Sequence, residues 1–368
     1  MDNISIIEVF ISGRRIGRMA LTPEGMCGFE YDADWIQTGF SISPFYLPLK
    51  SGLIMAKRDP FGGNFGVFDD SLPDGWGNLL LDRYLQERGI DPYKLNILER
   101  LSLIGSTGRG ALEYYPDKSV VTDAEYLNFD SLAKEVAKIL ESKESKGSVD
   151  LLYKYGGSSG GARPKIFTKV DGREWLVKFK ATNDPVDVGE IEYNYSLLAR
   201  DCGIRMAETR LFDNRYFGVE RFDRAPQGKI HTVSAAGLLH ANYRIPSLDY
   251  SILLKLTLNL TKDMEQVAEM FRLMVFNVLI SNRDDYAKNL SFQWANGAWK
   301  LSPAYDLLPS NGFNGYHTTT INGKGEPALA DVITLAAEIG LSKQYATQTI
   351  EELTEKCVAK KMVKFRLR

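Results

Sequence analysis

Seven apolar residues, Val267, Met270, Phe271, Met274, Val275, Val278 and Leu279, recur at helical spacing, and the stripe stops at Ser281-Asn282-Arg283-Asp284-Asp285. Residues three and four apart share one face of an α-helix, so this segment is a core-facing helix that delivers a polar loop at its end. A chain built round such a helix needs a large core. Its 368 residues, 44% apolar and 11% aromatic, supply one, which excludes a small disulfide-stapled module and a disordered chain. The apolar stretch 267–280 is interrupted by Arg272 and Asn277 and falls short of the roughly 20 residues that cross a bilayer.

Forty-five Lys plus Arg against 47 Asp plus Glu leave a net charge of -2, so no positive excess points to wholesale binding of nucleic acid or membrane. The three cysteines, Cys27, Cys202 and Cys357, lie far apart without CxxC spacing, which argues against a disulfide framework or zinc site and for a reducing compartment. The amino terminus lacks the basic stretch, apolar run and cleavage site of a secretory signal. A soluble cytoplasmic protein is expected.

Residues 4–11 alternate, break at Ser12-Gly13-Arg14-Arg15 and resume over 16–21, the pattern of a β-hairpin. A turn over 68–77 leads to a helix over 78–88, and a strand over 111–115 follows Gly105-Ser106-Thr107-Gly108-Arg109-Gly110. The polar stretch 141–148 reads as an exposed connection, placing the first domain boundary between about 118 and 150. From Gly156 a glycine-serine run precedes two strands, 165–170 and 174–180, joined by Asp171-Gly172. A helix over 187–200, two short strands within 209–222 and helical character over about 331–367 complete the pattern. The chain is expected to be α/β (α+β), with a β-rich amino-terminal subdomain over 1–120 and a second domain over 150–368 whose carboxyl-terminal lobe is mainly helical.

Three segments carry candidate chemistry. In Gly156-Gly157-Ser158-Ser159-Gly160-Gly161-Ala162 the small side chains let backbone N–H groups approach phosphate oxygens, although the same composition also makes flexible linkers. It fits no Walker pattern, because Lys165 does not follow the last glycine directly and Pro164 is unsuited to the interior of the helix that motif opens. In the strand Trp175-Leu176-Val177-Lys178-Phe179-Lys180, Lys178 sits among large apolar residues and needs an anionic partner; Glu192 is the candidate and Glu190 its competitor. Lys180 reads as a surface lysine. Third, Asp284 and Asn289 stand five apart, the separation of base and metal-ligating amide in the kinase loop D-x-x-x-x-N. A hairpin turning at Asn296-Gly297 then leads to Asp306, a second carboxylate for Mg²⁺. Taken singly, each Asp or Asn also fits an exposed or capping role. Their order, glycine loop, strand lysine, helix glutamate, apolar helix, D-x-x-x-x-N and aspartate, is that of a kinase-like fold. Hydrolase motifs are absent, and His231, His240 and His317 lie in no H-E-x-x-H or triad pattern.

Over nearly its whole length the chain resembles HipA-type serine/threonine kinase toxins of bacterial toxin-antitoxin systems. The resemblance rests on Gly17-Arg18, Pro48-Leu49, Leu72-Pro73-Asp74-Gly75-Trp76-Gly77, the loop from Gly157 to Lys165, Val219-Glu220-Arg221-Phe222-Asp223-Arg224, and residues 282–292. It implies a HipA-like, protein-kinase-like fold using ATP and Mg²⁺. Gly157, Ser158, Ser159, Gly160, Gly161, Ala162, Lys178 and Lys288 would contact the nucleotide, and Glu220 and Phe222 would form the adenine hinge. It further implies Asp284 as catalytic base, Asn289 and Asp306 as metal ligands, and Ser158 as an autophosphorylation site. The family commonly has histidine where this chain has Tyr286, and the chain is shorter at its carboxyl end than the longer members. The resemblance also implies a helix-turn-helix, HipB-like antitoxin, DNA contacted only through it, and a protein substrate such as an aminoacyl-tRNA synthetase. The rivals are a small-molecule kinase and a regulatory antitoxin-binding component with little catalysis.

Overall fold

The computed structural model describes residues 4–120, 128–143, 146–312 and 314–362. It divides into two compact units, one comprising Met1–Glu190, Glu208–Val233 and Gly237–His240, the other Ile191–Ala207, Ser234–Ala236 and Ala241–Arg368.

The first unit opens with the expected hairpin, β1 (Ile6–Ile11) and β2 (Arg14–Leu21), turning where Ser12 and Gly13 take positive φ. Ile7, Val9 and Ile11 alternate inward, which fixes the register, because a slip of one residue would expose all three. With β3 (Cys27–Tyr31), β4 (Ile54–Met55) and β5 (Leu112–Tyr115) they form an antiparallel sheet in the order β4-β3-β2-β1-β5. A second antiparallel sheet, β6-β7-β9-β8, contains β6 (Lys165–Val170), β7 (Arg173–Lys178), β8 (Thr209–Phe212) and β9 (Tyr216–Glu220). Asp171 and Gly172 both lie at positive φ, as a two-residue hairpin turn demands.

One core joins this second sheet to three helices. Trp76, Leu80 and Leu85 of Gly75–Gln86, Val136 and Ile139 of Phe129–Leu140, and Leu152 of Lys146–Gly156 pack with Ile166, Trp175 and Val177. The first of these helices starts three residues before the expected position, inside the glycine-bearing turn. Helix also begins at Lys146, within the stretch read as an exposed connection; residues 144–145 of that stretch lie outside the described residues.

Two imidazoles are packed into this unit. His231 faces the Ile42 carbonyl at 2.9 Å, and His240 stacks on Tyr46 at 3.7 Å. Burial pushes both rings down to about 4, with Lys57 adding to the effect on His240. Each ring therefore takes its proton more readily when unfolded, so its contribution to stability is full above about pH 6.5 and is lost as pH falls toward 4. Urea unfolding should show the midpoint dropping between pH 7 and 5, as the unfolding free energy falls by up to about 1.4 kcal/mol per pH unit for each ring. A flat midpoint over that interval would contradict the packing described.

In the second unit the apolar stripe lies on a helix, Met264–Ile280, capped by the Asp263 carboxylate and closed by Ser281 in the left-handed region. Both residues that interrupt the stripe have structural work. Arg272 donates to the Cys202 carbonyl at 2.5 Å and pairs with Glu352 at 2.5 Å, and Asn277 donates to the Tyr250 hydroxyl at 3.1 Å. The region read as helical from 331 is two helices, Leu329–Glu338 and Lys343–Ala359, separated where Gly340 adopts positive φ; residues 363–367 lie outside the described residues. The hairpin Ser291–Ala295 with Ala298–Leu301 forms about Asn296 and Gly297, both at positive φ. No helix among the described residues is long and apolar enough to cross a membrane. The three cysteines are free thiols, all buried.

Candidate functional site

The candidate residues fall into two groups, one in each unit. In the first unit, Gly157–Ala162 follows directly on the helix Lys146–Gly156 and leads into β6. Gly157 N–H donates back to Tyr153 O at 2.9 Å and Ser159 N–H to Gly156 O at 3.0 Å, so the first half of the loop continues the helical turn. Ser159 is fully buried, its hydroxyl donating to Gly156 O at 2.6 Å. Ser158 is half-buried, and its hydroxyl donates to Thr107 O at 3.1 Å. The two serines are thus chemically distinct. A cavity of about 610 Å³ is lined by Gly157, Ser158, Ser106, Thr107, Phe167 and Arg221, among others. Lys178, Glu220 and Phe222 do not line it.

Lys178 closes β7 opposite Lys165, half-buried, with its ammonium 5.5 Å from the Phe217 ring centre; Lys180 is exposed, as read. Glu220 ends β9, paired with Arg173 at 3.4 Å, and Phe222 is half-buried just beyond. What fixes this segment is Asp223. Its buried carboxylate accepts from Arg221 at 2.8 Å, Arg224 at 3.0 Å and the Gly110 amide at 2.8 Å. Burial pushes that carboxyl up, but the two guanidinium charges outweigh it and hold it well below the usual carboxylate range. Both arginines also donate to Gly108 O, tying the strand end to the 105–110 turn.

In the second unit, Asp284 is exposed on the loop after the long helix, while its neighbour Asp285 is wholly buried. Asp285 Oδ1 accepts the amides of Thr318 at 3.0 Å and Thr319 at 3.2 Å, and Oδ2 accepts from Tyr250 at 3.0 Å and His317 Nδ1 at 2.9 Å. From Tyr250 the network runs through Asn277 to Asn282, whose amide donates to the Asp306 carbonyl at 3.1 Å. Asp306 takes a left-handed φ of 55°. Asn289 Nδ2 donates to the Asp284 backbone carbonyl at 2.8 Å, which closes the six-residue loop 284–289 on itself. Lys288 is buried, its ammonium 4.0 Å from the Tyr243 ring centre, and Tyr286 is half-buried with its ring 6.5 Å from Tyr243. Glu192 is buried and Glu190 exposed on the helix Val188–Asp201, which separates the two residues considered for the lysine.

Against protein-family models, residues 7–115 match the HipA N-terminal domain and residues 157–361 the HipA-like C-terminal domain. The chain belongs to the HipA family. A HipA chain in the solved Shewanella oneidensis MR-1 complex of HipA, HipB and operator DNA is similar in fold, with a TM-score of 0.71 at 18% identity over 97% of this chain and 89% of that one. The expected mixed α and β, HipA-like fold is therefore borne out. The kinase candidate Y4dM of Sinorhizobium fredii is 24% identical over 97% of this chain and 91% of its own length. Toxin YjjJ of Escherichia coli is 28% identical over 42% of this chain and 38% of its own. Within this HipA-family chain, sequence reasoning missed Asp285, His317 and Tyr250, which lie 32 and 35 positions from one another across the network. Only the adjacency of two aspartates hinted at a division of labour.

Proposed function

We propose that this HipA-family chain is an ATP-dependent protein serine/threonine kinase of a toxin-antitoxin pair. The observation that carries the reading is the loop 284–289, where an exposed carboxylate stands beside an asparagine whose nitrogen is already engaged with the loop's own backbone. An exposed acid that can take a proton and an amide oxygen that can ligate are the two groups phosphoryl transfer needs there. Asp284 orients the incoming hydroxyl and accepts its proton, the hydroxyl oxygen bonds to the γ-phosphorus, and the bond to the β-phosphate oxygen breaks to release ADP. In this reading Gly157 to Ala162, Lys178 and Lys288 serve the phosphates and Glu220 and Phe222 the adenine, with Glu192 as the candidate partner of the lysine.

Asp306 and Asn289 offer hard oxygen donors, which suits Mg²⁺; among the described residues no group of three or more His, Cys, Asp and Glu is placed to hold a metal. Bound magnesium would neutralise charge gathering on the phosphates. The name of Y4dM and the fold shared with the Shewanella HipA support kinase chemistry and a HipB-like partner, with DNA contacted through that partner. Ser158, half-buried at the cavity where Ser159 is sealed, is the serine suited to self-phosphorylation. A phosphate there adds about -1.5 to -2 charges at pH 7 and would repel the phosphates of a nucleotide.

Incubation with ATP and magnesium, followed by peptide mass spectrometry, should place phosphate on Ser158 and none on Ser159. An active enzyme without phosphate on that peptide would refute self-phosphorylation at this serine. Asp306→Asn should raise the magnesium concentration for half-maximal turnover by roughly tenfold or more. A titration matching wild type would remove Asp306 from the metal site.

A further inference from the structure

The segment Leu72-Pro73-Asp74-Gly75-Trp76-Gly77 has no role in the chemistry above, yet it is fitted closely to the glycine loop. Asp74 occupies the N-cap position of the helix Gly75–Gln86, where a carboxylate ordinarily accepts first-turn amides, but its side chain makes no capping bond. The carboxylate instead accepts the N–H of Gly161. Trp76 N–H donates to Gly161 O at 3.0 Å, and its indole N–H to Lys165 O at 3.1 Å, so the second half of the loop is held at Gly161 and just beyond it.

The glycines of the segment make room for this grip. A Cβ at Gly75 would stand 2.6 Å from Ala162 Cα, and one at Gly77 only 2.2 Å from Ser159 O. On the loop side the buried Lys165 ammonium donates to Gly160 O at 2.6 Å, and a Cβ at Gly160 would lie 3.6 Å from Asp74 Oδ1. A loop amide bonded to a carboxylate, beside a lysine, is an anion site already holding an anion.

We propose that Asp74 is a positioning residue that takes the Gly161 amide as a surrogate for a phosphate oxygen, so that a nucleotide engaging this loop must displace it. The proposal rests on the nucleotide-binding reading above. Binding at a site whose competent form is only part of the population is weakened by that fraction, so removing the surrogate tightens binding. A residue that merely braced the loop would have the opposite effect.

The test uses the full chain with two readouts, hydrogen exchange over 157–163 without nucleotide and binding of a non-hydrolysable ATP analogue with magnesium. Asp74→Ala is expected to speed exchange at Gly161 severalfold and to tighten analogue binding by roughly three- to tenfold. Asp74→Asn keeps the size and an acceptor oxygen without the charge; it should fall between wild type and alanine on both scales, and it serves if the alanine variant does not fold. Unchanged exchange in both variants would overturn the latch. Faster exchange with weaker binding would overturn the surrogate role and leave Asp74 as a brace. Absence of analogue binding in every protein, wild type included, would instead overturn the nucleotide reading and with it the surrogate, while faster exchange would still identify Asp74 as what holds the loop.

Discussion

Asp284→Asn is expected to lower phosphoryl transfer by about 10²- to 10⁴-fold, the usual contribution of a general base. Thermal unfolding should move by no more than about 2 °C, because an exposed loop side chain contributes little to the core and surface substitutions stay within about 0.5 kcal/mol. Asparagine keeps the shape of the side chain and leaves the backbone carbonyl that receives Asn289 in place. ATP turnover and calorimetric unfolding of the same preparation measure both. Wild-type turnover in the variant would dismiss Asp284 as the base.

One position further along, Asp285→Ala should do the reverse, costing the fold before anything else. Its carboxylate satisfies two backbone amides, a tyrosine hydroxyl and a histidine N–H in a site closed to water. Each donor left without an acceptor costs about 1–3 kcal/mol, so the loss is expected to reach at least about 4 kcal/mol. At about 2–4 °C per kcal/mol for a unit of this size, unfolding should fall by roughly 10 °C or more. Asp285→Asn retains one acceptor oxygen and should lose less. If Asp285→Ala melted with wild type, the network would not be what anchors the loop, and the contrast between the two neighbouring aspartates would collapse.

That contrast marks the boundary of what the sequence discloses. Elements specified by local pattern came through. The strands flanking Asp213 to Arg215, the hairpin at Asp171-Gly172 and the stripe from Val267 all stand within a few residues of where alternation, turn chemistry and helical spacing put them. Elements specified by contact did not. Glycines at 75 and 77 read as a turn because glycine disfavours helix by about 1 kcal/mol, and only the nearness of Ser159 and Ala162 explains their place in a first helical turn. Likewise nothing in Asp284-Asp285 says which carboxylate is enclosed; that depends on His317 and Tyr250, brought in by long-range folding. The exposure difference between Glu190 and Glu192 was equally hidden, since both sit near the start of one helix.

The core shared by the helix Gly75–Gln86 and the strands β6 and β7 bears on how the chain could be cut. The interval between the two family matches, 116–156, looks like a natural seam, but Trp76, Leu80 and Leu85 lie on one side of it and Ile166, Trp175 and Val177 on the other. A fragment beginning in that seam would leave open to solvent the part of the core under its glycine loop and lysine strand that Trp76, Leu80 and Leu85 fill. Severed there, the halves would behave as sticky remnants seeking each other, and recombination or domain shuffling at the seam would succeed only if both pieces travelled together.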